Sequence, residues 1–171
     1  EPLAPLRHAG AVVIEDAAHA LGAVGPHGAV GNCAASDMTC FSFHPVKAIT
    51  TGEGGAVTTN DDDLKYRMEL VRNHAENVVG PAGCENIVNM LGFNYRLTEI
   101  QAAIAIEQFK KLEAVNRARI GFVEFLNEQL ERFEFFEIMD GRKNRESTFY
   151  TYPIIFKPDV AGVPVEEFRT A

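Results

Sequence analysis

Lys47 sits in the stretch SDMTCFSFHPVKAITTGEGGAVTTN, with Ser42, His44 and Pro45 before it and Gly52, Gly54 and Gly55 after it. A lysine amine can attack a carbonyl carbon and hold it covalently when its surroundings suit. Taken alone, a lysine in a loop is a solvated charge. Its companions change that reading. Asp16 and His19 lie in VVIEDAAHALGA, just past an apolar run, and Asn94 lies in GFNYRLTEIQAAI. A carboxylate after a buried strand stands where open α/β sheets bind their ligands. Each of these residues also has a plain structural reading: a turn or cap for Asp16 and Asn94, a hydrogen-bonded imidazole for His19, an outward polar position for Ser42.

The elements that would position these groups can be read from patterning. Ala11 to Ile14 is a short continuous apolar run ending at Glu15 and Asp16, which predicts a parallel strand buried on both faces. The glycine-rich Gly22 to Gly31 matches neither dinucleotide nor P-loop spacing and reads as a loop or hairpin, with His27 exposed. Thr39 to Phe43 alternates as a half-buried strand does, with Ser42 on the face opposite Phe41 and Phe43. His44-Pro45 stops that strand, because proline has no amide hydrogen for the ladder. Lys47 is therefore expected on a loop just past a strand end, where rigid flanking elements hold functional residues. The three glycines after it permit positive φ or close backbone approach, and Ala56 to Thr59 resumes the sheet.

A helix is expected from Asn60 to about Asn73, capped by Asn60 or Asp61, with Leu64, Met68 and Val71 as its apolar stripe. Glu76 to Phe93 lacks periodicity and reads as a long functional loop. Thr98 and Gln101 form a capping box. Ile100, Ala103, Ile104, Phe109, Leu112, Val115, Phe122, Leu126 and Leu130 then follow at helical spacing as one long helix, or two joined near Gly121. Such a stripe is core or subunit interface. Phe133 to Ile138 and Thr151 to Phe156 read as strands, separated by the polar turn GRKNRES.

Taken together, the segments around Asp16, Ser42, Lys47 and Asn94 resemble the DegT/DnrJ/EryC1/StrS sugar aminotransferases, which belong to the fold type I superfamily of pyridoxal-phosphate-dependent transferases. The resemblance runs from about Ala11 to Leu130. The HPVK and TTGEGGA wording is most similar to the branch that aminates C4 of UDP-linked 4-keto-6-deoxy sugars, as in pseudaminic acid biosynthesis. The resemblance implies an α/β large domain with a mostly parallel sheet over residues 1–130 and the start of a smaller α+β domain over 131–171. It implies pyridoxal 5'-phosphate as cofactor, with Lys47 forming the Schiff base and Asp16 pairing with the pyridine nitrogen. By the same resemblance His19 lies near the ring hydroxyl and Ser42 binds the phosphate. Asn94 would reach the cofactor phosphate of a neighbouring subunit in a homodimer. Glutamate would donate the amino group and a nucleotide sugar would accept it. The family's chains are more than twice this length, so the sequence reads as a middle piece, opening on a helix tail at EPLAPLRHAG and stopping at PVEEFRTA where another helix should begin.

Composition narrows the alternatives. A net charge of -8, from 24 acidic against 16 basic residues, argues against a nucleic-acid surface. Cys33, Cys40 and Cys84 are odd in number and lack CxxC spacing, so they are expected as small buried hydrophobes rather than disulfide or zinc ligands. His74-Ala75-Glu76 has the HxE of zinc deaminases without their PCxxC, and that reading is rejected. No charged and apolar leader and no long apolar run is present, so a soluble cytoplasmic protein is the expectation. Three rivals remain open: a relative acting as a sugar dehydratase, where histidine replaces the lysine; a catalytically silent dimerisation or regulatory module; and an α/β domain for some other phosphate ligand.

Overall fold

The structure is a computed structural model that describes residues 9–76, 90–138 and 146–170. Cys84, nearly all of the long loop after Glu76, most of the opening EPLAPLRHAG and most of the polar turn GRKNRES lie outside the described residues. Three short strands make the sheet that matters for the site: β1 (Ile14–Asp16), β4 (Met38–Ser42) and β5 (Gly55–Thr58), in the order β1-β4-β5. β1 runs parallel to β4 with Asp16 opposite Cys40, and β5 runs antiparallel to β4 with Gly55 opposite Ser42. The hairpin expected between Gly22 and Gly31 is β2 (Val24–Gly25) with β3 (Gly28–Ala29).

β1 begins later than its apolar run and carries Glu15 and Asp16 within it. The Asp37 carboxylate accepts the Val13 N–H at 2.7 Å, and the Val13 carbonyl accepts the Asp37 and Met38 N–H groups at 2.8 and 3.3 Å, so pairing starts at the end of the apolar run. The expectation of burial on both faces does not hold. Val13 is 6% exposed, but Val12 and Ile14 are 70% and 58% exposed, because among the described residues β1 is an edge strand covered on one face. On the covered face Glu15 accepts hydrogen bonds from Ser36 and Thr39 hydroxyls at 2.6 and 3.0 Å, where Ser36 and Thr39 are buried. Two hydroxyl donors offset the cost of drawing that carboxylate inward.

Helix α1 spans Asp62–Arg72 with Asp61 as its N-cap, its side chain accepting the Leu64 N–H at 2.9 Å. Acidic Asp62 and Asp63 occupy the positive end of the helix dipole. Leu70, outside the expected stripe, is the residue this helix buries most, at 1% exposure, while Leu64, Met68 and Val71 are half-buried. The apolar face is rotated toward Leu70 because the chain turns back there: the Leu70 carbonyl accepts the Asn73 and Ala75 N–H groups, and residues 93–95 hydrogen-bond to Val71 and Arg72.

The long helical stretch divides into α2 (Glu99–Phe109) and α3 (Leu112–Leu130), so the break falls at Lys110 and Lys111, not Gly121. The Thr98–Gln101 capping box is present. Gly121 sits inside α3 with open space where a Cβ would be, and the long helix carries its cost of about 1 kcal/mol. The break lets each helix meet a different neighbour. Gln101 Nε2 donates to the Glu53 carbonyl and Phe109 meets Phe43 edge-to-face at 5.8 Å, whereas α3 turns Asn116, Val123 and Asn127 to the interior. Ile100, Phe109 and Phe122 of the anticipated stripe are 75%, 45% and 60% exposed, so much of that face is not core within the described residues.

Both expected C-terminal strands are present but shorter, as β6 (Phe136–Ile138) and β7 (Ile154–Phe156), antiparallel to one another. Helices α4 (Pro158–Ala161) and α5 (Val165–Thr170) follow. Phe136, Phe156 and Phe168 close a small aromatic core, the last two stacked at 4.4 Å. Among the described residues no helix is long and apolar enough to cross a membrane, and no group of three or more His, Cys, Asp or Glu could hold a metal ion. Cys33 is buried and Cys40 half-buried, both unpaired thiols.

Candidate active site

Side chains alternate along a strand, so the register of β1 with β4 decides what meets what. Asp16 lies opposite Cys40, and Ser42 follows two positions on, so Asp16 and Ser42 project from the same face at the carboxyl ends of neighbouring strands. Thr39 and Phe43 project from the other face into the interior, at 0% and 5% exposure. Asp16 Oδ1 accepts the Ala18 N–H at 3.0 Å, which orients the carboxylate and leaves Oδ2 for a ligand. Ser42 Oγ accepts the His44 N–H at 3.3 Å, so its own proton can be donated outward.

Lys47 is carried on a loop whose neck is closed by Phe43. The Phe43 N–H donates to the Gly54 carbonyl at 2.8 Å, and the Phe43 carbonyl accepts from the Thr51 N–H and the Thr50 hydroxyl at 3.0 and 2.9 Å. Ile49, 2% exposed, anchors the loop, and the Lys47 N–H donates to the His44 carbonyl at 3.0 Å. The glycines behave as expected: Gly52 has φ +83°, and a Cβ on Gly55 would stand 2.6 Å from the Phe41 carbonyl oxygen.

His19 and Lys47 converge on one aromatic ring, that of Tyr150. The His19 imidazole stacks on it with centroids 3.8 Å apart and planes at 23°, and Lys47 Nζ lies 5.0 Å from its centroid. Tyr150 arrives on the segment before β7, which is pinned across the His19 loop. Val24 and Glu146 exchange both backbone hydrogen bonds, and buried Thr148 donates to the His19 carbonyl at 3.5 Å. From α3, Asn116 Nδ2 donates to the Leu21 carbonyl at 3.1 Å and Arg119 to the Thr148 carbonyl at 3.5 Å. Tyr150, Thr148 and Asn116 carry no motif and sit far from the site in sequence, so patterning did not single them out.

Asn94 is not part of this contact set. Its backbone bridges Asn73 at the end of α1, and its side chain is exposed. The neighbouring Arg96 donates to the Asn73 carbonyl oxygen of the side-chain amide, and Phe93 stacks on Tyr95 at 4.9 Å, so the segment is ordered along α1.

The donor set suits a small anionic, carbonyl-bearing aromatic ligand: an amine and an imidazole on one tyrosine ring, a carboxylate at a strand end, and a hydroxyl with a proton to give. The residues present therefore fit pyridoxal phosphate.

Residues 5–167 match the model of the DegT/DnrJ/EryC1/StrS aminotransferase family. The chain is 36% identical over 147 residues to the UDP-4-amino-4,6-dideoxy-N-acetyl-beta-L-altrosamine transaminase of Campylobacter jejuni, covering 86% of this chain and 38% of that protein. It is 41% identical over 124 residues to the GDP-perosamine synthase of Caulobacter vibrioides, covering 71% of this chain and 31% of that one. In structure it is similar to Helicobacter pylori PseC, an aminotransferase involved in the biosynthesis of pseudoaminic acid, with TM-score 0.80 and 28% identity over 98% of this chain and 45% of that one. The chain thus spans less than half the length of each of these relatives. With the family model matched across nearly its whole length and the fold shared with PseC, the chain belongs to the DegT/DnrJ/EryC1/StrS aminotransferase family.

Proposed function

We propose that this chain carries the lysine-bearing part of a pyridoxal-phosphate-dependent aminotransferase that moves an amino group from glutamate to a nucleotide-linked 4-keto-6-deoxy sugar. The observation that carries the reading is the convergence of Lys47 and His19 on one ring beside the strand ends that hold Asp16 and Ser42. The substrate class is supported by the names of the relatives, a dideoxy-sugar transaminase and a perosamine synthase.

When bound, pyridoxal phosphate supplies an electron sink for the carbanion formed at the amino carbon. The chain's residues do the rest. Asp16 would hold a proton on the pyridine nitrogen, which would keep that sink effective. Ser42 Oγ would donate to the phosphate. Lys47 Nζ is the amine that would hold the cofactor at its aldehyde carbon. Freed from that bond by the donor's amine, Lys47 Nζ would serve as general base and general acid at the substrate carbon. His19 would lie near the ring hydroxyl. Asn94 would contact the phosphate of a second subunit's cofactor, a role that its exposed position supports. The exposed apolar side chains of α2 and α3, Ile100, Phe109 and Phe122 among them, suit a homodimer contact. Residues 1–130 form the end of the cofactor-binding domain and 131–171 begin the smaller one. A nucleotide-sugar substrate supports a cytoplasmic site for the reaction.

The test is transfer of isotopically labelled nitrogen from glutamate to a UDP-linked 4-keto-6-deoxy sugar by the full-length protein supplied with pyridoxal phosphate. Label in the amino sugar, read by mass spectrometry, is expected. Cofactor retention without label transfer to any nucleotide-linked keto sugar would overturn the reading.

A further inference from the structure

Tyr150 is held in place more firmly than a chance neighbour would be. Before it, Thr148 is 4% exposed and tied to the His19 carbonyl, and the Val24–Glu146 bridge fixes the segment's entry. After it, the Tyr152 hydroxyl donates to Asn127 Oδ1, inside α3. Between them Phe149 adopts φ +46°. A positive φ is a genuine outlier for a bulky side chain. Such strain persists only where the surroundings over-determine the backbone, and it gathers at functional sites. Here the strained residue directly precedes the one ring that faces both His19 and Lys47.

We propose that Tyr150 is a positioning residue of the site: its ring is the wall that holds the His19 imidazole by stacking and the Lys47 ammonium by a cation–π contact. The small-domain segment thereby sets the geometry of two groups carried by the large domain. The inference rests on the proposed function only for what the two groups then do, since the stacking itself is a property of the chain without cofactor. An aromatic ring suffices for both contacts, because stacking and cation–π attraction come from the π face and not from the hydroxyl. Tyr150→Phe therefore keeps the arrangement and Tyr150→Leu loses it.

The experiment is proton NMR of the cofactor-free chain, with pyridoxal phosphate binding measured alongside by equilibrium dialysis. In the wild type, cross-relaxation between the Tyr150 and His19 ring protons is expected, as are ring-current shifts on the His19 ring and the Lys47 ε-methylene. Tyr150→Leu should lose those shifts and weaken cofactor binding by about two- to tenfold, with Tyr150→Phe close to wild type in both. Absence of the wild-type cross-relaxation would overturn the proposal, and that arm needs no variant to fold. So would a folded Tyr150→Leu chain with unchanged shifts, tighter cofactor binding in that variant, or a Tyr150→Phe chain that fails as Leu does. A wild type that shows the ring contacts but binds no pyridoxal phosphate would sink the proposed function and leave the positioning role standing.

Discussion

Lys47 and His19 come from different loops, and their meeting at Tyr150 makes the lysine more than a surface charge. Lys47→Arg keeps a cation that can lie over the ring but removes the amine that bonds to the cofactor and moves the proton. We expect it to lower amino transfer by at least about 10²–10⁴-fold, the size of a lost proton-transfer group, measured as label transfer to the keto sugar. At this scale the site was partly legible in the sequence. Asp16, Ser42 and Lys47 stand at or just past strand ends, and strand ends follow from local patterning and from a proline that stops a ladder. Tyr150 was not legible, because its role comes from packing against residues remote in sequence and its own neighbourhood reads as an ordinary strand approach.

The elements hold those residues through a few local devices and a few tertiary ones. Asp61 caps α1 by accepting the Leu64 N–H. Asp61→Ala should cost about 1 kcal/mol in urea unfolding with no change in cofactor binding. Such caps are readable in advance because donor and acceptor lie within one turn. Gly22 is a tertiary device. Its φ is +81°, and a Cβ there would stand 2.5 Å from Asn116 Nδ2. Gly22→Ala should therefore destabilise by about 1–3 kcal/mol through overpacking, and should loosen the Leu21 carbonyl from α3, which urea unfolding and the His19 ring resonances would both report. Asn116 also explains why the helical division escaped the sequence pattern. A break at Lys110 and Lys111 frees α3 to aim Asn116 and Asn127 inward, and two buried amides interrupt the apolar period from which one long helix, or two joined near Gly121, was expected.

Across the whole molecule, α3 ties the loop around Leu21 to the segment that leads into β7. Asn116 holds the loop after His19, and Asn127 accepts the Tyr152 hydroxyl. Burial first, and then the nearby Glu131 carboxylate, raise the Tyr152 phenol above its usual 10.0. A raised pKa in the folded state means the folded chain keeps a proton that the unfolded chain loses above pH 10. That contribution is complete below pH 10 and is lost as pH climbs through the raised folded value. Alkaline unfolding should thus be less steep in Tyr152→Phe than in the wild type, once each is normalised to its stability at neutral pH. Equal slopes in the two chains would show that Tyr152 is not the titrating link.

The central claim is that Lys47 is the residue that holds the cofactor, and borohydride reduction after addition of pyridoxal phosphate, followed by peptide mapping, tests it most directly. The account predicts a reduced pyridoxyl group on Lys47 in the wild type, with none at position 47 in Lys47→Arg. A folded chain whose adduct lies on other lysines, or which binds the cofactor with Lys47 unmodified, would contradict it.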